Sequence, residues 1–415
     1  MGVTATQAHG GLVEAFDAVV DDRPDVDRHE VFRRLRAELP IFRSERLSAW
    51  VVSRYDEVSA VLSHPTRFEP LKEGPGAPIF GRSFLQMSGR EHNKKAGIVA
   101  KRIRSPRAVK EQLEGLVDGI AQRQVDELPL DEPVDLRARY AMWIPLLAIT
   151  ELMAVEEAAR FRDWYRTIAA GGVSSVADPS LREKGFQALA EVRAFLAPII
   201  AERRAEPGED LISDLVTASY DGEPLSEEEI AATVVFLLTA GVETTERVLT
   251  STFRRLALDP GEWSALRDRR DDPVALAAFS AEALRVHPPV NALTRLASEP
   301  AELAGQELAV GEKVVVLLAS ANRDEEHFAD AQRFDRDRFA EKPDRQFTSA
   351  GEILPFGAGT HHCTGSRLAE TELVHAFGKL ATRVGALEPA AAELPRAEGF
   401  VLRSPPALPV VLRRA

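Results

Sequence analysis

The segment from residue 355 to residue 365 restricts the fold more than any other feature of this sequence. It reads PFGAGTHHCTG and contains the only cysteine of the chain, Cys363. Its three glycines free the backbone to wrap closely around a flat or bulky group. Apolar residues follow the segment at helical spacing, at Leu368, Ala369, Leu373 and Phe377. A helix is therefore expected just after Cys363, where backbone N–H groups and the helix dipole favour a thiolate.

A lone cysteine also has more ordinary explanations. It is most often a small buried hydrophobe. His361, His362 and Cys363 could suggest zinc, but adjacent residues on a tight loop rarely reach one tetrahedral metal together. A cysteine nucleophile paired with a histidine is a third interpretation. Neither zinc nor such a nucleophile needs the glycine framework, so the pattern favours a thiolate inside a wrapped loop.

Composition narrows the class of protein. The chain has 415 residues, 45% of them hydrophobic, which is ample for a large core. Its net charge of -13 argues against nucleic-acid binding, which needs a basic face. One cysteine excludes an internal disulfide and fits a reducing cytoplasm. We see neither a signal peptide nor an apolar run long enough for a membrane span, and we expect a cytoplasmic protein without a membrane anchor.

The most informative predicted helix runs from about residue 226 to residue 258. Ser226 and Glu229 form a capping-box pattern at its start, and a proline follows at its end. The helix is apolar on nearly every side, which indicates burial. Gly241, Glu243 and Thr244 lie inside it. They mark either a kink with a surface glutamate, or space for a ligand beside a proton-delivery pair.

The remaining periodicity is mostly helical. It predicts helices over residues 111–128 and 186–204, the second with a kink or break at Pro198. Short strands are expected at residues 50–52, 313–318 and 410–412. We predict one large, mainly α domain with small β-sheets. The alternative is two α-rich domains divided near residues 207–210.

The cysteine segment resembles the signature loop of the cytochromes P450. The defining positions are filled by Phe356, Gly357, Gly359, His361, Cys363 and Gly365. The resemblance implies the P450 fold, with haem b held between the long helix (226–258) and the cysteine loop (355–365). By the same resemblance Cys363 is the axial iron ligand and His361 contacts a haem propionate. Phe356 packs on the cysteine side of the haem, and Gly357 belongs to the cofactor-binding loop.

Other motifs of this family occur in the expected order. Residues 240–245 resemble its oxygen-activation motif, which makes Glu243 the acid and Thr244 the alcohol that handle protons. Glu282 and Arg285 resemble its Glu-x-x-Arg pair, and Arg338 completes a structural triad with them. By itself such a pair is usually a surface contact.

The propionate-binding residues match less completely. Arg295 and His92 resemble the family's propionate ligands. The arginine usually found four residues after the histidine is replaced by Ala96. Lys95 or Lys94 could substitute, although lysine is not equivalent to arginine.

A basic run is unusual in this acidic chain. It comprises Lys94, Lys95, Lys101, Arg102, Arg104 and Arg107. It is either a solvated helix face or a docking patch for an acidic ferredoxin.

The resemblance implies a monooxygenase that inserts one oxygen atom from O₂ into a hydrophobic organic substrate in natural-product metabolism. Electrons come from a separate ferredoxin and ferredoxin reductase, because the haem domain uses the whole length, residues 1–415, and leaves no fused reductase. Oxidative coupling, cyclisation or desaturation by the same haem chemistry is the alternative. A peroxide-driven haem enzyme and a non-catalytic haem sensor are less favoured. Predicted substrate contacts are Phe84, Leu85, Phe236, Ala240, Val290, Leu293 and Leu402.

Overall fold

The computed structural model describes residues 10–71, 83–173 and 179–415. The N-terminal residues inspected for a signal peptide lie outside these ranges. The described α-helices, in chain order, are α1 (Gly10–Val20), α2 (Arg28–Glu38), α3 (Tyr55–Ser63), α4 (Gly89–Ile103), α5 (Pro106–Ala108), α6 (Glu114–Asp126), α7 (Trp143–Leu152), α8 (Ala158–Val173), α9 (Pro179–Ala205), α10 (Leu211–Thr217), α11 (Glu227–Leu237), α12 (Glu243–Leu258), α13 (Pro260–Asp268), α14 (Pro273–Val286), α15 (Leu318–Ala321) and α16 (Ser366–Arg383).

The strands are short and form four small sheets. In chain order they are β1 (Ile41–Ser44), β2 (Ala49–Val52), β3 (Phe68–Pro70), β4 (Pro133–Asp135), β5 (Ser219–Tyr220), β6 (Glu223–Pro224), β7 (Leu293–Ala297), β8 (Ala301–Leu303), β9 (Gln306–Leu308), β10 (Lys313–Val316), β11 (Val384–Pro389) and β12 (Pro409–Arg414). The largest sheet has the order β1-β2-β10-β7-β3 and a second has the order β11-β12-β4. The remaining two are the pairs β5-β6 and β8-β9. The prediction of a mainly α protein with small sheets is confirmed.

The long buried helix forms as predicted. The Ser226 hydroxyl accepts from the Glu229 N–H while the Glu229 carboxylate accepts from the Ser226 N–H, which completes the capping box. Helices α11 and α12 are joined by a single π-type turn, Leu238–Val242, so they continue as one rod to Leu258. Such a turn widens a helix and is frequent at functional sites. A Cβ on Gly241, inside this turn, would meet Ile149 Cδ1 of α7 at 3.4 Å, which is an ordinary van der Waals distance.

Two sequence predictions need adjustment. Pro198 neither ends nor splits its helix, because α9 continues without interruption from Pro179 to Ala205. The helix predicted from residue 111 is preceded by a π-type turn, Val109–Leu113, and its regular α part is α6.

A division near residues 207–210 receives no support from the packing. Residues before it, such as Leu196 and Ile200, and after it, such as Leu211, belong to the same buried apolar cluster. Arg203 Nε also bonds Asp210 Oδ2 across the segment at 2.8 Å. None of the helices in the described part of the chain combines the length and apolar character that a membrane span requires.

Candidate cofactor and substrate site

The cysteine loop is held by backbone geometry that its glycines make possible. Gly357 and Gly359 have φ angles of +71° and +66°, a region that L-residues other than glycine rarely adopt. A Cβ on Gly359 would lie 3.1 Å from Ser63 Cα, at the end of α3. The loop closes where the Cys363 N–H donates to the Phe356 carbonyl at 2.8 Å. This folding fixes the direction of the cysteine side chain before α16 begins at Ser366.

Cys363 is exposed, and it lines an internal cavity. Desolvation by the loop around it raises the pKa of the Cys363 thiol, and the Gly365 N–H and the Arg104 charge oppose that rise only in part. The thiol therefore stays protonated unless a cation binds it, because a coordinating thiol loses its proton to the metal. Cys363 is a single donor, and the described residues hold no cluster of three or more metal ligands, so a metal bound here would be held mainly by a cofactor.

The cavity has a volume of about 250 Å³. The long helix and the cysteine loop supply much of its lining. The long helix contributes Phe236, Leu237, Ala240, Gly241, Thr244, Thr245 and Val248, and the loop contributes Pro355, Phe356, Gly357, His361, His362, Cys363, Thr364 and Gly365. The lining is mostly apolar with a few polar groups, which is typical of sites that bind organic molecules.

Three polar side chains line the cavity close to one another. The rings of His92 and His361 lie 4.1 Å apart between centroids. Burial, with the nearby His92 and Arg295 acting in the same direction, lowers the pKa of His361 to about 4. His361 Nε2 is buried and lacks a hydrogen-bond partner among the described residues. Arg295, on β7, is 9% exposed, and burial lowers its pKa to about 10. An anionic group bound here would satisfy these donors, and haem propionates have that chemistry.

Neither Lys94 nor Lys95 belongs to the described cavity lining, where the arginine missing at Ala96 would act. Lys95 Nζ is held between Glu229 Oε1 at 2.5 Å and Glu91 Oε1 at 2.9 Å, and Lys95 is not among the residues that line the cavity. Lys94 is exposed on the outside of α4. The suggestion that Lys95 substitutes is therefore wrong, because two carboxylates already hold its charge.

The acid–alcohol pair is divided between the cavity and the helix flank. Thr244 lines the cavity, and its Oγ1 donates to the Ala240 carbonyl at 2.8 Å. Glu243 does not belong to the described lining; its carboxylate pairs with Arg247 at 2.6 Å. Arg247 in turn donates to Ser404 Oγ at 3.1 Å. In this conformation Thr244 lies on the cavity wall, and Glu243 forms a half-buried ion pair with Arg247 beside it.

The sequence analysis missed a buried acid that lines the cavity, Glu372 on α16. It is 1% exposed, lines the cavity, and accepts from Thr245 Oγ1 at 2.8 Å through Oε2. Its Oε1 is buried without a partner, and burial raises the pKa of Glu372 to about 8. The available signal was helical spacing, because Glu372 lies one turn after Leu368 on the face that enters the core.

The predicted triad is buried and assembled. Glu282 and Arg285 are fully buried on α14 and form two hydrogen bonds of 2.7 Å. Arg338 Nε lies 3.2 Å from Glu282 Oε2. Arg285 also donates to the carbonyls of Asn322 and Ala331. The triad therefore ties α14 to the irregular segment that precedes the cysteine loop.

All of the predicted substrate contacts except Leu402 line the cavity. These are Phe84, Leu85, Phe236, Ala240, Val290 and Leu293. Phe84 and Phe236 pack edge to face with centroids 4.7 Å apart. Leu402 is absent from the described lining and instead forms an isolated β-bridge with Val290. Its effect on a substrate would therefore pass through Val290.

The basic run is only partly a free surface. Lys95 is buried, and Arg102 Nε bonds Asp214 at 2.5 Å while Nη1 donates to the Glu209 carbonyl. Lys94, Lys101 and Arg107 are exposed, and Arg107 pairs with Glu111.

One cavity is lined by a thiol, by a long helix, and by an arginine with two histidines, and these features fit a haem-thiolate protein. The family model for cytochrome P450 matches residues 160–407. The chain belongs to the cytochrome P450 family, and it is a P450 monooxygenase, an oxidoreductase. Its fold is the P450 fold.

Relatives and solved structures agree over nearly the whole length. The chain is 31% identical to linalool 8-monooxygenase from Pseudomonas putida, over 87% of this chain and 89% of the relative. It is 33% identical to nocardicin C N-oxygenase from Nocardia uniformis subsp. tsuyamanensis, over 93% and 96%. The crystal structure of CYP109E1 from Bacillus megaterium with testosterone superimposes with a TM-score of 0.80 at 26% identity, covering 93% of this chain and 99% of that one. Many of the bacterial relatives act in natural-product biosynthesis.

Proposed function

We propose that this P450 inserts one oxygen atom from O₂ into a hydrophobic organic intermediate of natural-product metabolism. The cofactor would be haem b, and Cys363 would hold its iron. The observation that carries the proposal is the placement of Thr244 and the Cys363 thiol in the walls of one largely apolar cavity. Bound haem would supply the iron for O₂ activation, and the Cys363 thiolate would make that iron richer in electrons.

The side chains around the cavity suit distinct tasks. Arg295 supplies a positive charge, and His92 and His361 supply ring nitrogens beside it, for binding and orienting an acidic cofactor edge. Thr244 holds a hydroxyl proton at Oγ1 on the helix wall, and Glu243 keeps a carboxylate one residue away in its pair with Arg247. Phe84, Phe236, Val290 and Leu293 exclude water from the substrate side.

Electrons are expected from a separate ferredoxin and ferredoxin reductase. Two exposed members of the basic run, Lys101 and Arg107, support this proposal, because they flank Ile103, whose Cδ1 would lie 3.9 Å from a Cβ on Gly365 of the cysteine loop. Arg104, between them, places Nη2 3.5 Å from His362 Nδ1. The acidic composition with one cysteine fits a cytoplasmic enzyme.

The test is reconstitution of the haem-loaded protein with a surrogate ferredoxin and reductase. A spectral binding screen against hydrophobic natural-product intermediates first identifies ligands that perturb the haem spectrum. Turnover of those ligands with ¹⁸O₂ should give products that carry one labelled oxygen atom. Coupled, cyclised or desaturated products without label would replace insertion with the alternative chemistry. Haem loading with no turnover of any spectrally active ligand would contradict the proposed activity.

A further inference from the structure

The carboxylate of Glu243 is held by a single arginine of the same helix. Glu243 Oε1 accepts hydrogen bonds from Arg247 Nη2 at 2.6 Å and from Arg247 Nε at 3.2 Å. No other residue in the described part of the chain hydrogen-bonds this carboxylate. The pair is largely covered, with 15% of the Glu243 side chain and 16% of the Arg247 side chain exposed, so water screens it less than a surface pair. The direction of the carboxylate therefore depends on the direction of the Arg247 guanidinium.

The hydroxyl of Ser404 fixes the direction of that guanidinium. Arg247 Nη1 donates to Ser404 Oγ at 3.1 Å. The N–H groups of arginine form a rigid planar fork, so a hydrogen bond at Nη1 also sets where Nε and Nη2 point. A serine hydroxyl accepts through its lone pairs while its own proton goes elsewhere, here to the Pro405 carbonyl at 3.4 Å. Ser404 is therefore the anchor at the far end of the Glu243–Arg247 pair.

Ser404 is itself firmly fixed. It is 2% exposed, and its backbone exchanges two hydrogen bonds with Glu398, of 3.1 and 3.3 Å. The preceding residue, Arg403, donates its N–H to the Pro289 carbonyl at 3.1 Å. Pro289 lines the cavity, so the C-terminal loop, which we define as residues 398–405, is attached to one cavity wall. The anchor of Arg247 thus belongs to a fixed part of the fold.

A neighbouring acid of the same helix is held differently. Glu246 Oε1 accepts from Arg137 Nε at 2.8 Å, and Arg137 Nη1 donates to the Pro405 carbonyl at 2.7 Å. Glu246 Oε2 also accepts from the Tyr165 hydroxyl at 2.9 Å. Two carboxylate–arginine pairs of α12 therefore end at the C-terminal loop, but among the described residues only Glu246 has a further hydrogen-bonding partner. Loss of the loop anchor should accordingly affect Glu243 more than Glu246.

We propose that Ser404 is a positioning residue for the monooxygenase reaction: its hydroxyl directs Arg247, which holds the Glu243 carboxylate next to the cavity. This inference rests on the proposed role of Glu243 and Thr244 in handling protons. Proton transfer by a side chain needs hydrogen-bond reach, so the direction of the carboxylate matters as much as its presence. Ser404 is not part of the described cavity lining, and it therefore acts through Arg247 and not by touching a substrate.

Ser404→Thr and Ser404→Val separate the effect of the hydroxyl from that of side-chain bulk. Both introduced residues are β-branched and similar in shape, so the two variants share any steric cost and differ in the hydroxyl. The first readout is the infrared band of carbon monoxide bound to the reduced, haem-loaded protein, because its frequency responds to nearby charge. Ser404→Thr should keep the wild-type band, whereas Ser404→Val should shift or broaden it as the carboxylate changes direction. Equal bands in the two variants would overturn the proposal.

The second readout is the amount of product formed per reductant consumed. It should be about tenfold lower in Ser404→Val than in Ser404→Thr, the size expected for a lost hydrogen bond to a charged group. Haem content and the spectral affinity for substrate should stay equal, since Ser404 lies outside the described cavity lining. A loss of substrate affinity as large as the loss of yield would overturn the proposal, because Ser404 would then support the cavity wall. Different infrared bands with equal yields would instead contradict the proposed proton role of Glu243.

A Glu243→Gln background shows whether Ser404 acts through the acid. In that background Ser404→Thr and Ser404→Val should give the same band and the same yield, because no ionisable group is left to position. Ser404→Ala, which adds no bulk, should behave like Ser404→Val in the wild-type background. Ser53→Ala is the matched control, because Ser53 is fully buried, bonds the Pro40 carbonyl at 3.2 Å and lies outside the described cavity lining. Differences of the same size in both backgrounds, or an equal effect of Ser53→Ala, would overturn the proposal.

Discussion

At the scale of single residues, the most distinctive groups are two hydroxyls and a buried acid beside the thiol. Thr244 and Thr245 are adjacent in sequence, yet their hydroxyls serve different partners. Thr244 Oγ1 bonds its own helix, whereas Thr245 Oγ1 bonds Glu372 on α16. Each arrangement predicts a different measurable effect.

Thr244→Ala should uncouple reductant consumption from product formation. The variant loses the hydroxyl proton on the cavity wall, and proton delivery by a positioned group contributes typically 10²–10⁴-fold in such steps. Reductant consumption, peroxide and product are measured together, and peroxide should rise as product falls. Thr239→Ala is the matched control, because Thr239 makes the same bond to its own helix but does not line the cavity. If both variants retain wild-type coupling, Thr244 has no part in proton handling.

Glu372→Gln should change how stability depends on pH. Burial holds the pKa of Glu372 at about 8, above the 4.5 of an ordinary glutamate. Since the folded protein keeps the proton longer than the unfolded chain, this stability is full below pH 4.5 and is lost as pH rises through about 8. The melting temperature of Glu372→Gln should therefore fall less steeply over that window. Glu302→Gln, an exposed substitution on β8, should keep the wild-type slope. Equal slopes in all three proteins would mean that Glu372 is ionised in the fold.

The sequence predicted which residues lie at this site, but it did not predict which partners their side chains bind. Cys363, His92, Arg295, His361 and Thr244 all line the cavity, as the motifs indicated. The paired carboxylate of Glu243 could not be predicted, because a motif fixes backbone position and leaves the side-chain partner to distant packing.

At the scale of secondary-structure elements, the position of the cavity residues depends on where the helices begin and how they pack on one another. The capping box fixes where the long helix begins, and a π-type turn joins its two halves. The local sequence predicted the capping box, because that motif depends only on neighbouring residues. Helix α9 could not be predicted from local signals in this way. It continues through Pro198, a residue that disfavours a helix interior, because tertiary packing retains it.

Glu282→Ala should prevent accumulation of haem-loaded protein. The substitution leaves the buried Arg285 without its carboxylate, and breaking a buried pair costs about 3–5 kcal/mol. Haem content and the urea unfolding midpoint are the measurements. Glu299→Ala is the control, because its pair with Arg67 is exposed and such pairs contribute about 0–1 kcal/mol. Full haem content and a wild-type midpoint in Glu282→Ala would show that the triad does not stabilise the fold.

At the scale of the whole molecule, charge distribution bears on the redox partner. The chain carries a net charge of -13, yet Lys101 and Arg107 are exposed, Arg107 in a surface pair with Glu111. Arg102, which the sequence placed in the same patch, is instead half-buried and paired with Asp214. Composition could identify the cluster, but only the folded chain separates its exposed charges from those that packing covers.

Charge reversal of Lys101 and Arg107 together should slow the first electron transfer from an acidic ferredoxin. Surface charges at a docking rim act mainly on association rate and its salt dependence. The reduction rate is measured over a salt series, with spectral substrate binding as a check on the cavity. Reversal of Arg182 and Lys184, exposed on α9, gives the same change in net charge and should have a smaller effect. Equal slowing by both pairs would replace docking with a general charge effect.

The central claim is that Cys363 ligates haem iron as a thiolate, and the reduced carbon monoxide difference spectrum tests it most directly. The wild-type protein should show the long-wavelength Soret band of a thiolate-ligated haem. Cys363→Ala should lack that band, because the sequence contains no other cysteine. A wild-type spectrum without the band, or a Cys363→Ala spectrum that retains it, would contradict the account.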